Sequence, residues 1–266
     1  MVSFGIPYLG SKNRIAENII RRMPKGRRLV DLFAGGCAIS HAAMLSGKYE
    51  HVHMNDKYGG CIRLFQECLS RIVSSGFISR QEFFQRYKNE ELVRWVWSYC
   101  SDGRTYAFGK DKEDEAKNDF ERCGKGISRD IRRRIMRLHS IRKLSHLCKC
   151  GMSSSFVDYM EVPLEEGDVV YLDPPYSGGV GYDGTSKVSA FTSDYFDYAR
   201  KLAQLGLSVY VSEFTDNKPD DFTTVATFEI QHLKESASTR RSEGLFTPHL
   251  RGSGRKCYNA GVWERR

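Results

Sequence analysis

The feature that most constrains this chain is a short apolar run that breaks into glycines and then into a helix. Arg28-Leu-Val-Asp-Leu-Phe33 has the residue types of a buried strand, Ala34-Gly35-Gly36 follows as a turn, and Ala38 to Ser46 reads as a helix stopped by Gly47. Strand, glycine turn and helix in that order open a nucleotide-binding βαβ unit: the backbone can turn tightly, and the first N–H groups of the helix are free to meet the negative end of a ligand. A second strand is expected over His51-Val-His-Met-Asn55, with Asp56 at its carboxyl end, twenty residues past Gly36. That is the spacing at which an acid takes a ribose hydroxyl pair. These two signals do not separate a dinucleotide from another nucleotide-bearing cofactor.

A third strand, Asp168-Val-Val-Tyr-Leu172, runs into Asp173-Pro-Pro-Tyr176. Open α/β sheets bind ligands at the carboxyl ends of their strands, so the three tips are expected to converge. The third also suggests a reaction. An amino group conjugated to a purine is a poor nucleophile, and a catalyst must draw its lone pair out of the ring by accepting hydrogen bonds from its hydrogens. Asp173 and the carbonyl of Pro174 are acceptors of that kind, Pro174 and Pro175 stiffen the turn, and Tyr176 can stack on a base drawn out of a duplex.

Around these tips the pattern predicts an amphipathic helix from Lys12 to Met23, capped by Ser11, then a helix near Tyr195 to Leu205 and a strand from Leu207 to Ser212. From Cys61 to about Cys150, helical periodicity with dense charge and clustered aromatics replaces the alternation of strands and helices. An inserted, mostly helical lobe is expected there. The stretch from Phe228 onward is basic with β-like pieces and ends in Tyr258 to Trp263.

Four segments in this order resemble the Dam-type DNA adenine-N6 methyltransferases (D12 class, α-group). They are Gly5-Ile-Pro-Tyr-Leu-Gly-Ser-Lys12, Asp31-Leu-Phe-Ala-Gly-Gly36, Asn55-Asp56 and Asp173-Pro-Pro-Tyr176. The resemblance spans essentially the whole chain and departs at Cys37, where many members have a small residue or a glycine. It implies a Rossmann-like α/β fold of the S-adenosylmethionine (SAM)-dependent methyltransferase kind, a mixed sheet carrying an inserted target-recognition lobe. Residues 1–60 and 151–266 would form the catalytic domain and residues 61–150 the DNA-binding lobe. It implies further that Tyr8 and Lys12 contact SAM near its adenine and methionine ends, that Asp56 holds the ribose hydroxyls, and that Asp173 touches both the methionine end and the target amino group. Asp31, Phe33, Ala34, Gly35, Gly36 and Asn55 complete the implied cofactor set. The expected reaction is direct methyl transfer from SAM to adenine N6 with base flipping, and the commonest recognition sequence of the family is GATC.

Lys and Arg total 41 against 33 Asp and Glu, a net charge of +8, which suits a polyanionic partner such as double-stranded DNA. Ser128 to His146 places Ile131, Ile135, Leu138, Ile141 and Leu144 on one stripe and is expected to leave Arg129, Arg132, Arg133, Arg137 and Lys143 outside to meet DNA. Trp95, Trp97, Tyr99, Tyr106 and Phe108 read mostly as the core of the lobe, with one or two free to wedge into an opened duplex. Arg240, Arg241, Arg251, Arg255 and Lys256 lie in a glycine-rich basic stretch expected to order on phosphates.

Several classes fall away. No apolar run reaches the roughly 20 residues of a membrane span, and with no leader-like start the chain is expected in the cytoplasm, on DNA. Eight cysteines lack both disulfide and zinc spacing, so free thiols and no metal are expected. None of the seven prolines precedes a cysteine, against cytosine-C5 chemistry. A nicotinamide oxidoreductase would want the full Gly-x-Gly-x-x-Gly, a non-catalytic DNA-binding module would not need every catalytic position, and amino-methyltransferases of RNA, cytosine N4 or protein glutamine more often resemble Asn- or Ser-Pro-Pro-Tyr without this lobe. A cognate restriction endonuclease is the partner such an enzyme would have, acting as a monomer or weak dimer on DNA.

Overall fold

Period-two alternation divides the strands between two faces. In a computed structural model, which describes residues 2–175, 194–230 and 241–249, β1 (Gly26–Asp31) and β4 (Val169–Leu172) are central. Leu29, Val169 and Tyr171 point into one apolar core, and Val30, Leu32, Val170 and Leu172 into the other. Strands buried on both faces must be apolar throughout, which is why β4 reads Val-Val-Tyr-Leu.

The remaining strands are β2 (Tyr49–Asn55), β3 (Gly151–Ser155), β5 (Ser208–Phe214), β6 (Phe222–Ile230) and β7 (Arg241–Pro248). They form one sheet of order β3-β2-β1-β4-β5-β7-β6. The first five strands of that order run parallel, and β7 is antiparallel to both β5 and β6. The order reverses between β1 and β4, so the loops leaving these two strands part there and open a crevice at their carboxyl ends.

One face carries α1 (Ala16–Arg22) and α2 (Ala38–Ser46), the other α8 (Asp194–Gln204). The expected single helix from Lys12 to Met23 is broken: Lys12–Arg14 form a 3-10 turn, and Ile15, at φ −116°, separates it from α1. The break leaves Lys12 buried and turned toward the sheet's carboxyl edge.

The inserted segment contains α3 (Gly60–Ser70), α4 (Arg80–Arg86), α5 (Glu91–Val96), α6 (Glu113–Glu121) and α7 (Arg129–Leu144). Ser79 begins α4 with a reciprocal capping box to Glu82. These helices lie between β2 and β3, and their buried side chains, among them Phe65, Phe83, Trp97, Ile135 and Leu138, continue the core that α1 and α2 form on the sheet. No gap in the core separates residues 61–150 from the rest.

Strand β3 was not expected. Gly-Met-Ser-Ser-Ser offers no β-branched residue, and the strand is held on its inner edge by side-chain bonds instead: His51 Nε2 and His53 Nδ1 share Ser153 Oγ at 2.7 and 2.8 Å, and His53 Nε2 meets Ser155 Oγ at 2.8 Å. Among the described residues no helix is long and apolar enough to cross a membrane.

Candidate active site

The glycine turn after β1 is pinned from two sides. Ala34 N–H donates to the Asn55 carbonyl (2.8 Å) and Gly35 N–H to Asp56 Oδ2 (3.0 Å), while Asp56 Oδ1 accepts from Tyr58 N–H (3.0 Å). Asp56 therefore sets the turn and keeps acceptor capacity on each oxygen. Asn55 departs from the expectation of a cofactor contact. Its side chain is buried and saturated: Nδ2 donates to the Leu32 and Val157 carbonyls (3.1 and 3.2 Å), and Oδ1 accepts from Ser155 Oγ and Val157 N–H (2.7 and 3.3 Å). It fastens the exits of β1, β2 and β3 together, where an unsatisfied buried amide would cost about 1–3 kcal/mol.

Gly35 and Gly36 make room for the chain itself. A Cβ on Gly36 would stand 2.7 Å from Tyr8 Cβ, and one on Gly35 would stand 3.0 Å from the Tyr8 ring. The segment 4–11 lies across the turn, with Ile6 N–H donating to the Gly36 carbonyl at 2.8 Å. Tyr8 thus covers the turn and packs on Trp95, ring centroids 4.8 Å apart. Phe33, on the other side, meets Tyr159 at 4.9 Å. Cys37 takes a left-handed conformation (φ 58°) and is fully buried; burial pushes its thiol pKa up, against any role as a nucleophile.

Carboxylates gather at the edge where β1 and β4 end and β7 begins. Lys12 Nζ stands 2.8 Å from Asp173 Oδ1 and 3.6 Å from Glu243 Oε2, with the Lys12 side chain only 5% exposed. Asp31 is 1% exposed; its Oδ2 accepts from Ser40 Oγ at 2.6 Å, and its Oδ1 has no hydrogen-bond partner among the described residues. Burial raises the Asp31 carboxyl to about 7, the Asp173 and Asp56 charges add to the shift, and the Ser40 bond opposes it. Pro174 is buried and Pro175 half-buried beside Asp173. Tyr176 lies outside the described residues.

A carboxyl with a raised folded pKa holds its proton more tightly in the folded chain. Stability is therefore lost as pH rises from the ordinary 3.8 through about 7, and the loss is complete above that. Asp31→Asn keeps an acceptor for Ser40 and should flatten this limb. Urea midpoints at pH 5 and pH 8 are expected to differ less in the variant than in the parent chain; an unchanged difference would place the proton on another group.

Along α7, Arg129 and Arg133 are exposed, with Arg133 3.4 Å from the exposed Asp130, and Lys143 is exposed as well. Arg132 is half-buried with its guanidinium over the Phe120 ring at 4.6 Å. Arg137 corrects the expectation of an outward face: it bonds inward to the Phe4 and Gly5 carbonyls and to Ser11 Oγ. An arginine four residues from the apolar Ile141 and one from Leu138 sits at the edge of the buried stripe, where its long stem reaches under the N-terminal segment. Of the five clustered aromatics, Trp95, Trp97, Tyr106 and Phe108 are buried and Tyr99 is 52% exposed. Arg240, Arg251, Arg255 and Lys256 lie outside the described residues, as does the side chain of Arg241.

Sequence reasoning passed over Glu243 and Glu213. Both are buried acids inside strands, and the available signal was an acidic residue flanked by strand-forming apolar residues, as in Val-Ser-Glu213-Phe.

Residues 8–122 match the family model described as D12 class N6 adenine-specific DNA methyltransferase; the matched stretch includes Tyr8, Lys12, the glycine turn and Asp56 and ends before Asp173. A curated relative, the modification methylase StsI of Streptococcus sanguinis, is 24% identical over 235 residues, which cover 79% of this chain and 35% of the relative. The chain thus spans about a third of the length of that relative. The crystal structure of a putative methylase from Haemophilus influenzae aligns with 91% of each chain at 14% identity, with a TM-score of 0.33. So low a score carries no argument.

Proposed function

We infer that this chain, whose residues 8–122 match the model of the D12 class of N6 adenine-specific DNA methyltransferases, is a member of that class and transfers a methyl group from SAM to the N6 amino group of adenine in duplex DNA. One observation carries the reading: at the switch point of the sheet, Asp56 and Asp173 both lie within electrostatic range of the buried Asp31, and the buried Lys12 is held to Asp173. Three carboxylates in a partly dry crevice favour a cation such as the sulfonium and ammonium of SAM, and Lys12 favours its carboxylate. The donor set fits SAM, in which an anion and two cations are carried by one molecule.

When bound, SAM supplies a methyl carbon on a positively charged sulfur that leaves as a neutral thioether. The chain's own residues supply position and acceptors. Tyr8 covers the glycine turn and Asp56 orients it; Asp56 would offer its remaining lone pairs to the ribose hydroxyls, and Lys12 would turn from Asp173 to hold the cofactor carboxylate. That turn matters, because an ammonium at 2.8 Å weakens Asp173 as an acceptor. Asp173 Oδ and the Pro174 carbonyl then accept the two hydrogens of the amino group. With its hydrogens so held, the nitrogen lone pair would come out of conjugation to attack the methyl carbon that bound SAM would supply, the neutral thioether leaving, and one amino proton would pass toward these acceptors. The adenine must leave the duplex to reach them, and the exposed Tyr99 is proposed as the side chain that fills the gap.

DNA lies along the outer face of α7. Replacing both Arg129 and Arg133 by Ala is expected to weaken binding across all sequences and to lower the slope of log K against log salt by about 2. An unchanged slope would take α7 out of the interface. As in the naming of its relative as a modification methylase, a restriction endonuclease is the partner proposed for it.

The decisive assay exposes DNA to the chain with SAM labelled in its methyl group. Label should appear in N6-methyladenine, and SAM and its demethylated product, S-adenosylhomocysteine, should bind where NAD does not. Label in cytosine or in RNA alone, or none at all, would overturn the reading.

A further inference from the structure

Arg134 and Arg137, three residues apart on α7, both turn inward on a helix whose other cations largely face water. Arg134 Nη1 donates to the carbonyls of Val96 (2.8 Å) and Ser98 (2.5 Å). Arg137 Nε donates to the Gly5 carbonyl at 2.9 Å, and its Nη2 donates to the Phe4 carbonyl and, at 3.2 Å, to Ser11 Oγ. Every one of these acceptors is neutral. Burial accordingly lowers both guanidinium pKa values, that of Arg137 to about 10. Asp130 and Asp102 partly offset the burial of Arg134, whereas Arg137 has only carbonyl and hydroxyl dipoles against it; a buried cation so balanced is a poor device for stability, and its geometry is what it contributes.

What Arg137 holds is the segment that covers the glycine turn. Its bonds fall on both sides of Tyr8, at residues 4 and 5 before it and at residue 11 after it. Between these anchors Gly5 N–H donates to His41 Nδ1 (3.1 Å) and Ile6 N–H to the Gly36 carbonyl (2.8 Å). Ser11, the far anchor, caps the 3-10 turn that begins with Lys12. One guanidinium therefore closes the loop that presents Tyr8 to the turn and Lys12 to Asp173.

We propose that Arg137 is a positioning residue for cofactor binding, setting Tyr8 and Lys12 from the inserted helical segment, and that it is not a DNA contact. The proposal rests on the SAM reading above. It separates two arginines that sequence and burial alone make equivalent: Arg134 clamps the loop at residues 96–98, and Arg137 clamps the cofactor loop.

The test uses the full chain and S-adenosylhomocysteine as the probe, with affinity measured by calorimetry. Arg137→Gln is expected to weaken binding roughly ten- to a hundredfold, to raise KM for SAM more than it lowers kcat, and to leave the salt slope of DNA binding unchanged. Arg137→Lys, which keeps the charge and one or two of the bonds, should recover part of the loss. Arg134→Gln, a comparably buried change on the same helix, should lower Tm to a similar extent and leave S-adenosylhomocysteine affinity within about twofold. If Arg137→Gln does not fold, Ser11→Ala removes one bond of the clamp and should weaken binding several-fold. Parental affinity in Arg137→Gln, or in Ser11→Ala where it is the variant that folds, would overturn the proposal. So would equal losses in Arg134→Gln and Arg137→Gln, or a reduced DNA salt slope in Arg137→Gln. If the parent chain itself binds no S-adenosylhomocysteine, the SAM reading falls, and the proposal with it.

Discussion

Asp173→Ala is expected to lower kcat for methyl transfer by roughly 10³-fold while the chain stays folded and still binds DNA. The side chain is one of two acceptors proposed to draw the amino lone pair out of the adenine ring, and it directly follows β4. Folding should survive, because Lys12 Nζ keeps Glu243 Oε2 at 3.6 Å and is not left as a lone buried cation. The same change removes one of the negative charges that raise the Asp31 carboxyl, so the loss of stability between pH 4 and 7 should shrink as well. Steady-state rates with labelled SAM, beside urea melts at two pH values, separate the two effects. Near-parental kcat in a folded variant would remove Asp173 from the chemistry.

Gly5→Ala is expected to destabilise the chain by about 3–5 kcal/mol and to abolish cofactor binding at temperatures where the chain remains folded. Gly5 sits at φ +66°, and an added Cβ would stand 2.1 Å from the Gly36 carbonyl oxygen, 2.7 Å from Ala38 N and 2.8 Å from the Cys37 carbonyl carbon. All three are backbone atoms of the glycine turn and the start of α2, which cannot swing aside as a side-chain end would. Gly47 supplies the control: it has the same φ of +66° and nothing within 4 Å of its added Cβ. Gly47→Ala should cost only the left-handed conformation, about 1 kcal/mol. Equal urea midpoints for the two variants would mean that segment 4–11 does not lie on the turn.

The parts of the fold legible in the sequence are those with one physical cause acting over a continuous stretch. Arg28 to Phe33 and Asp168 to Leu172 read as strands because both their faces are buried, and Ala38 to Ser46 emerged with its stop at Gly47. Strand β3 was illegible because its partners are hydroxyls and imidazoles paired across about a hundred residues. The break at Ile15 was hidden for a related reason: the apolar stripe of Ile15, Ile19 and Ile20 is present, but Lys12 is drawn to a carboxylate at position 173.

Within the site, residue identity told more about what could react than about what each residue does in place. Asp173-Pro-Pro and the two glycines stood out because each follows an apolar strand; that the glycines make room for Tyr8 of the chain itself was not legible. Asn55 was misread because saturation of its amide by four partners is invisible in a linear string.

By itself the sequence determined the two faces of the sheet, the three strand tips and the carboxylate at 173, because hydrophobic periodicity and turn chemistry act locally. Only the tertiary structure decided that Arg137 turns inward to hold residues 4–11 while Arg133 faces water, and that Lys12 is buried among acids. A helical arginine at the margin of an apolar stripe can turn either way, and the direction depends on which carbonyls a segment more than a hundred residues distant brings within reach.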